Sequence, residues 1–176
     1  VASKGFIEIL RLADLAKARQ SGRYNAQKTQ WVGVVFEVSG QRLVAPMGEV
    51  SEVLSMPDLT TIPLTKPWLL GVANVRGRLL PLTDLTSFLS LPRASVRPSQ
   101  RKVLVIDQPG FFSGLVIDAV LGIQQFTSAQ YRAESLPSDS PLAPYSHGKF
   151  VKDEQEWFVF MPSLLVQDQR YVEAAI

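Results

Sequence analysis

The chain predicts a mostly β protein: two similar small antiparallel barrels packed together, preceded by an N-terminal helix. Two observations carry that fold class. From Trp31 onward the apolar residues leave helical spacing and fall into short Val-rich runs that partly alternate, bounded by Gly, Pro, Ser and Asp. The pattern then recurs, ungapped, seventy residues later: Val34, Val35 and Phe36 fall on Leu104, Val105 and Ile106, and Met47, Val50 and Val53 fall on Ile117, Val120 and Ile123. Ser39-Gly40 falls on Pro109-Gly110, so the turn is in register along with the strands. At 176 residues and 46% hydrophobic content, the chain suffices for one sizeable domain or two small barrels sharing an interface.

Residues 4–20 read as an amphipathic helix. Phe6, Ile9, Leu10, Ala13 and Ala16 lie near a 3.6 period and Gly22 supplies a stop, and a polar linker runs on to about Gln30. Such a helix packs on its own domain or binds a partner, and periodicity alone does not separate the two. Strands follow at Trp31–Val38, Gln41–Ala45 and Glu49–Leu54, the first two joined at Ser39-Gly40. In the run from Gly71 to Leu85, two glycines bracket Arg76 at the tip of two short apolar strands. Pro81 cannot donate to a ladder, which places its strand at a sheet edge or places Pro81 at a strand end. Asp84 then caps a short helix through Leu85, Phe88 and Leu89. Gly148, the strand Trp157–Met161 and the helix Ser163–Val166 answer that unit in the second half. The proline-bearing segments 55–67, 92–100 and 132–147 read as connections.

The inventory for catalysis is poor. There is no cysteine, hence no thiolate nucleophile, disulfide or thiolate metal site, and a reducing, cytoplasmic setting is the simplest reading. His147 is the single histidine, in a proline-bounded stretch with no carboxylate at helical spacing. The acids at Asp153, Glu154 and Glu156 read as a solvated turn before a strand, and no metal-ligand spacing is present. No apolar run approaches the roughly 18 residues of a membrane span. The pI near 9.0 comes from residues 1–30, which carry a net +4, whereas the remainder is −2. Arg93, Arg97, Arg101 and Lys102 form a second basic group without interleaved aromatics, so they read as a solvated or partner-facing loop rather than a nucleic-acid groove. Glu52 and Arg76 are left as a candidate pair: a guanidinium and a carboxylate beside Val50 and Val53, a polar rim on a dry patch.

From Trp31 to about Gln167 the chain resembles the CheW-like coupling domain of bacterial chemosensory systems. The motifs that carry this are Val34-Val-Phe-Glu-Val, Leu43-Val-Ala-Pro, Val50-Ser-Glu-Val53, Ile62-Pro63, Trp68-Leu-Leu-Gly-Val-Ala-Asn-Val-Arg-Gly77, Leu80-Pro-Leu-Thr-Asp-Leu85 and Gly114-Leu-Val-Ile-Asp-Ala-Val120. The resemblance implies two five-stranded SH3-like barrels within residues 31–170, with strand exchange between them open, residues 1–30 as an extension and residues 171–176 as a tail. It implies no enzymatic activity and no cofactor or metal. The implied role is an adaptor between the cytoplasmic tip of a chemoreceptor and the regulatory domain of a CheA-type histidine kinase, peripheral to membrane receptor arrays. No nucleic acid and no direct membrane insertion are expected. By the same resemblance Val50, Glu52, Val53, Gly71, Asn74, Arg76 and Val120 match positions at or near the receptor and kinase contacts. The N-terminal helix, the opening Trp31 and Thr83 look more like the branch that serves type IV pilus systems and twitching motility, while Ala73 and Val75 depart conservatively from the arginine motif. Two alternatives stay open: a regulatory CheW-like module of a larger signalling protein, against which the N-terminal helix and the close at Ala174-Ala-Ile weigh mildly, and a small nucleic-acid-binding barrel.

Overall fold

Eleven strands form two curled sheets in the computed structural model, which describes residues 30–174. The helix expected at residues 4–20 lies outside the described residues. The strands are β1 (Gln30–Val38), β2 (Gln41–Pro46), β3 (Glu52–Ser55), β4 (Leu69–Val75), β5 (Arg78–Asp84), β6 (Lys102–Gln108), β7 (Phe111–Ile117), β8 (Ala119–Thr127), β9 (Tyr131–Arg132), β10 (Ser146–Lys152) and β11 (Gln155–Phe160). Short helices α1 (Leu85–Phe88), α2 (Pro162–Val166) and α3 (Gln169–Val172) follow β5 and β11. One sheet has the order β8-β1-β2-β11-β10-β9 and the other β3-β6-β7-β5-β4.

Set against the seventy-residue repeat, these orders match position by position. β3, β6, β7, β5 and β4 of one sheet correspond to β8, β1, β2, β11 and β10 of the other. Each sheet therefore takes two strands from one repeat and three from the other. The exchange also explains a departure from the all-antiparallel expectation. β2 and β11 pair in parallel, as do β5 and β7, because strands that arrive from distant parts of the chain are free of the hairpin connection that imposes antiparallel pairing. The two-residue β9 adds a sixth member to one sheet.

Tight turns set the registers. Ser39-Gly40, Arg76-Gly77 and Asp153-Glu154 each place both central residues at positive φ, the primed geometry that matches strand twist. Pro81 lies in β5, an interior strand and not an edge, well inside the strand's bounds. Its missing N–H removes no ladder bond to β4, since the Val72 opposite it exchanges both backbone bonds with Thr60 (2.9 Å each). On its other side, pairing with β7 begins only at Leu82. Gly71, at φ +146°, makes this crossing possible: a Cβ there would sit 2.4 Å from the Thr60 carbonyl oxygen. The strand expected from Glu49 begins at Glu52, because the Glu49 N–H turns back to the Pro46 carbonyl (3.0 Å).

Three apolar clusters fill the interior. Trp31, Phe126, Phe150 and Trp157 fill the six-stranded sheet, with stacked rings at 4.6–4.8 Å. Leu80, Leu82, Val103 and Val116 fill the five-stranded one. A third cluster, including Phe36, Leu43, Leu104, Leu115, Leu85 and Phe160, joins the two. At about 1.5–3 kcal/mol per buried large side chain, the shared cluster binds the sheets into one unit. Tyr171 of α3 is buried too: it stacks on Trp68 (5.9 Å between centroids) and its hydroxyl meets Ser113 (2.6 Å).

Arg101 corrects the reading of residues 93–102 as solvated. It is buried and bridges two buried carboxylates, Asp84 (3.1 Å) and Asp118 (3.4 Å). Asp118 also accepts from the Ser39 N–H (2.7 Å), Asp84 caps α1 by accepting from the Ser87 N–H (3.4 Å), and Arg93 reaches Asp84 from the surface (3.4 Å). Two of the four cations are thus committed to an internal network, and Lys102 donates to Ser55 (3.1 Å). A charge strip free to bind phosphates is not what these residues form.

Candidate functional site

β3 and β8 are edge strands of different sheets, and a groove of about 490 Å³ lies between them. Val50 and Val53 line it from one side, Val120 and Ile123 from the other, with Val34 of β1 and Met47 beside them. Three large apolar side chains of the groove stay in water: Met47, Val53 and Ile123, the last 63% exposed. Apolar groups gathered at a surface in this way mark a place where another molecule is covered. A bulge in β8, opposite Val35 and Phe36, brings Gly122 to the groove at φ +124°.

Glu52 borders the same groove, and its carboxylate accepts a hydrogen bond from the Arg76 guanidinium in an ion pair. Arg76 rides on the β4–β5 turn, where its backbone takes φ +52°. That conformation is unusual for a residue with a long side chain. The turn is braced locally, since the Gly77 N–H donates to Asn74 Oδ1 (3.0 Å). Beside it, Arg78 lies over the Phe112 ring (3.7 Å) and forks onto Asp107 (2.6 and 3.3 Å). The result is a rigid ionic shoulder next to an aliphatic trough.

The candidate residues separate into three roles. Val50, Glu52, Val53 and Val120 line the groove, and Arg76 stands on its rim. Asn74 braces the turn that carries Arg76. Gly71 is not among the groove residues; it is buried where Thr60 crosses β4. Ile123, Met47 and Val34 join the groove without having been singled out. The repeat contained a signal for two of them, because Met47 and Ile123 were members of the aligned set that held Val50, Val53 and Val120.

The groove lining presents aliphatic contact surface and one paired charge. Glu52 is the one titratable group among the described residues lining the groove, and it is already paired. His147 lies half-buried in β10. Among the described residues no group of three or more His, Asp or Glu side chains is placed to hold a metal ion, and no helix is long and apolar enough to cross a membrane.

Residues 32–170 match the CheW-like domain family. The Pseudomonas aeruginosa protein PilI is 44% identical over 146 residues, which are 83% of this chain and 81% of that protein. FrzA of Myxococcus xanthus is 36% identical over 60% of this chain and 65% of its own length. The chemotaxis protein CheW of Thermotoga maritima is 26% identical over 54% of this chain. The chain spans just under two thirds of these last two proteins. The crystal structure of the scaffolding protein TtCheW from Thermoanaerobacter tengcongensis is similar with a TM-score of 0.66, at 19% identity, over 75% of this chain and 89% of that one. That likeness bears on the fold, the pair of curled sheets described above.

Proposed function

The chain belongs to the CheW-like domain family, and on that premise we propose that it is a non-catalytic adaptor coupling a methyl-accepting chemoreceptor to the regulatory domain of a CheA-type histidine kinase. The pathway proposed is the one that controls type IV pilus twitching motility, a reading supported by the 44% identity to PilI. Its place would be the cytoplasm, beside membrane receptor arrays. The single observation that carries the adaptor reading is the groove between β3 and β8: aliphatic walls exposed to water, an ionic shoulder at Glu52 and Arg76, and no constellation for chemistry among the described residues. A helical receptor tip suits such a trough, which accepts an apolar stripe and reads its border by charge. The groove residues Val50, Glu52, Val53 and Val120, with Arg76 at the rim, are the contacts proposed for the partners; Asn74 would act through the turn and Gly71 through the strand crossing.

Pairwise and ternary capture of receptor tip, kinase regulatory domain and this protein tests the reading. Ile123→Glu places a charge on the β8 wall at a water-exposed site. It should lower receptor-tip capture by about tenfold or more, as for a central interface side chain, and leave the melting temperature within about 2 °C of the parent, as surface substitutions do. Undiminished capture by that variant, or capture of neither partner by the parent, would remove the proposal.

A further inference from the structure

The two walls of the groove are related by the internal repeat, but their charges are not. Val50 and Val120, Glu52 and Gly122, and Val53 and Ile123 are three pairs seventy residues apart, and all six line the groove. β3 and β8, which carry most of them, hold corresponding edge places in their sheets. Apolar contact has no direction of its own, so paired aliphatic walls offer a helix similar contacts whichever way it runs. The charged groups break this equivalence. Beside the β3 wall stand Glu52 and Arg76, whose side chain is 77% exposed. The corresponding turn of the other sheet, between β10 and β11, has the same positive-φ backbone but carries Asp153 and Glu154, both exposed. Lys152, immediately before that turn, donates to the Gln125 carbonyl (3.1 Å), two residues along β8 from Ile123. The acidic turn thus neighbours the β8 wall as the arginine turn neighbours the β3 wall.

We propose that the groove accepts its helix predominantly in one direction, and that the opposite charges of the two corresponding turns choose that direction. The inference rests on the reading of the groove as a receptor-tip site and deepens it. A helix whose apolar stripe lies on the groove floor turns one flank to each wall, and reversing the helix end for end exchanges the flanks. The favoured direction sets an acidic flank beside Arg76 and a basic flank beside Asp153 and Glu154; the reverse direction sets like charges together. Exposed pairs are individually weak, yet two or three acting together bias the two directions by about five- to tenfold.

The chain has no cysteine, so a nitroxide at Ser55→Cys or at the repeat-related Gln125→Cys reports from one wall. The probe is a synthetic helical peptide of about 18 residues, five turns of helix, with a Leu stripe, Glu along one flank, Lys along the other, and a nitroxide at its N-terminus. Electron–electron distance measurement on the full chain should give one dominant distance population from each label. A peptide with exchanged Glu and Lys flanks should give the opposite direction, and so should the original peptide on Arg76→Glu/Asp153→Lys/Glu154→Lys. Two comparable populations, or an unchanged direction after the flanks are exchanged, would overturn the proposal and leave the groove reading standing. Absence of dipolar coupling to either label at saturating peptide would overturn both. The flank-exchanged peptide decides the matter on unaltered turns even if the triple variant does not fold.

Discussion

Glu52 and Arg76 join the two far edges of one sheet: Glu52 belongs to β3, Arg76 to the turn that follows β4, and these strands are first and last in the order β3-β6-β7-β5-β4. The pair lies on the seam where the curled sheet meets itself. Its counterpart in the other sheet is the bond from Lys152 to the Gln125 carbonyl, which draws the β10–β11 turn to the edge strand β8. Equivalent seams are therefore closed by different chemistry, one beside each wall of the groove.

An exposed pair of this kind contributes little to folding, about 0.2–1 kcal/mol. Arg76→Ala should accordingly shift the urea midpoint only slightly, while capture of the receptor tip or kinase domain falls several-fold. A large loss of stability with unchanged capture would assign the pair to the fold alone.

Gly71→Ala should do the reverse. The backbone at φ +146° is closed to L side chains, and the new methyl would meet the Thr60 carbonyl at 2.4 Å. The backbone conformation alone costs about 1–3 kcal/mol, and relief of the clash requires the Thr60–Val72 bridge to open. Chemical denaturation measures the loss; partner affinity per folded molecule should stay near that of the parent.

Arg101→Met removes the cation that Asp84 and Asp118 share while leaving both carboxylates buried. Breaking one side of such a network costs about 3–5 kcal/mol. Urea unfolding followed by tryptophan fluorescence should show a loss of that size, and Arg97→Met, on an exposed neighbour, should show almost none.

Acid should loosen the C-terminal docking. Hydrogen bonds from Arg170 hold the Asp168 carboxyl at about 2, below its ordinary 3.8, against the opposing effect of burial and with help from the Tyr145 hydroxyl (2.5 Å). Burial, then the neighbouring Asp168, push the Tyr145 phenol up to about 12. A carboxyl lowered in the folded state adds stability that is fully present above about pH 4 and fades as the pH falls toward about 2. Asp168→Asn should therefore flatten the stability curve between pH 4 and pH 2 and leave its slope near neutrality unchanged. Equal slopes for parent and variant in the acid window would contradict this account.

Local features are legible in the sequence. Primed turns at Ser39-Gly40 and at Arg76-Gly77, the Asp84 cap and the Val-rich runs all depend on residues within a few positions of one another. Which strand lies beside which is a different matter. The apolar run Leu43-Val-Ala-Pro in β2 shows that the strand is buried but not that β11, more than a hundred residues on, pairs with its edge in parallel. Arg101 reads as solvated for the same reason: its partners Asp84 and Asp118 are each 17 residues away in the chain, and flanking Pro and Ser suggest solvent. Pro81 reads as an edge or strand-end residue because its tolerance inside the sheet depends on Thr60 occupying Val72, a relation no local pattern contains. Val50, Glu52 and Val53 stand together in the sequence beside the pairing charge of Arg76, Val120 follows from the family resemblance, and Ile123 is within reach of the repeat alone.

The exchange of strands between repeats bears on how the chain is made. During synthesis β1 and β2 emerge with neither β8 nor β11 yet available, and β3, β4 and β5 wait for β6 and β7. The six-stranded half cannot close until β11, at Gln155–Phe160, has left the ribosome, and pairings so remote in sequence form slowly. A chain halted in translation near residue 118 would hold β1 and β2 without their partners, offering open edges to aggregation or to holdase chaperones.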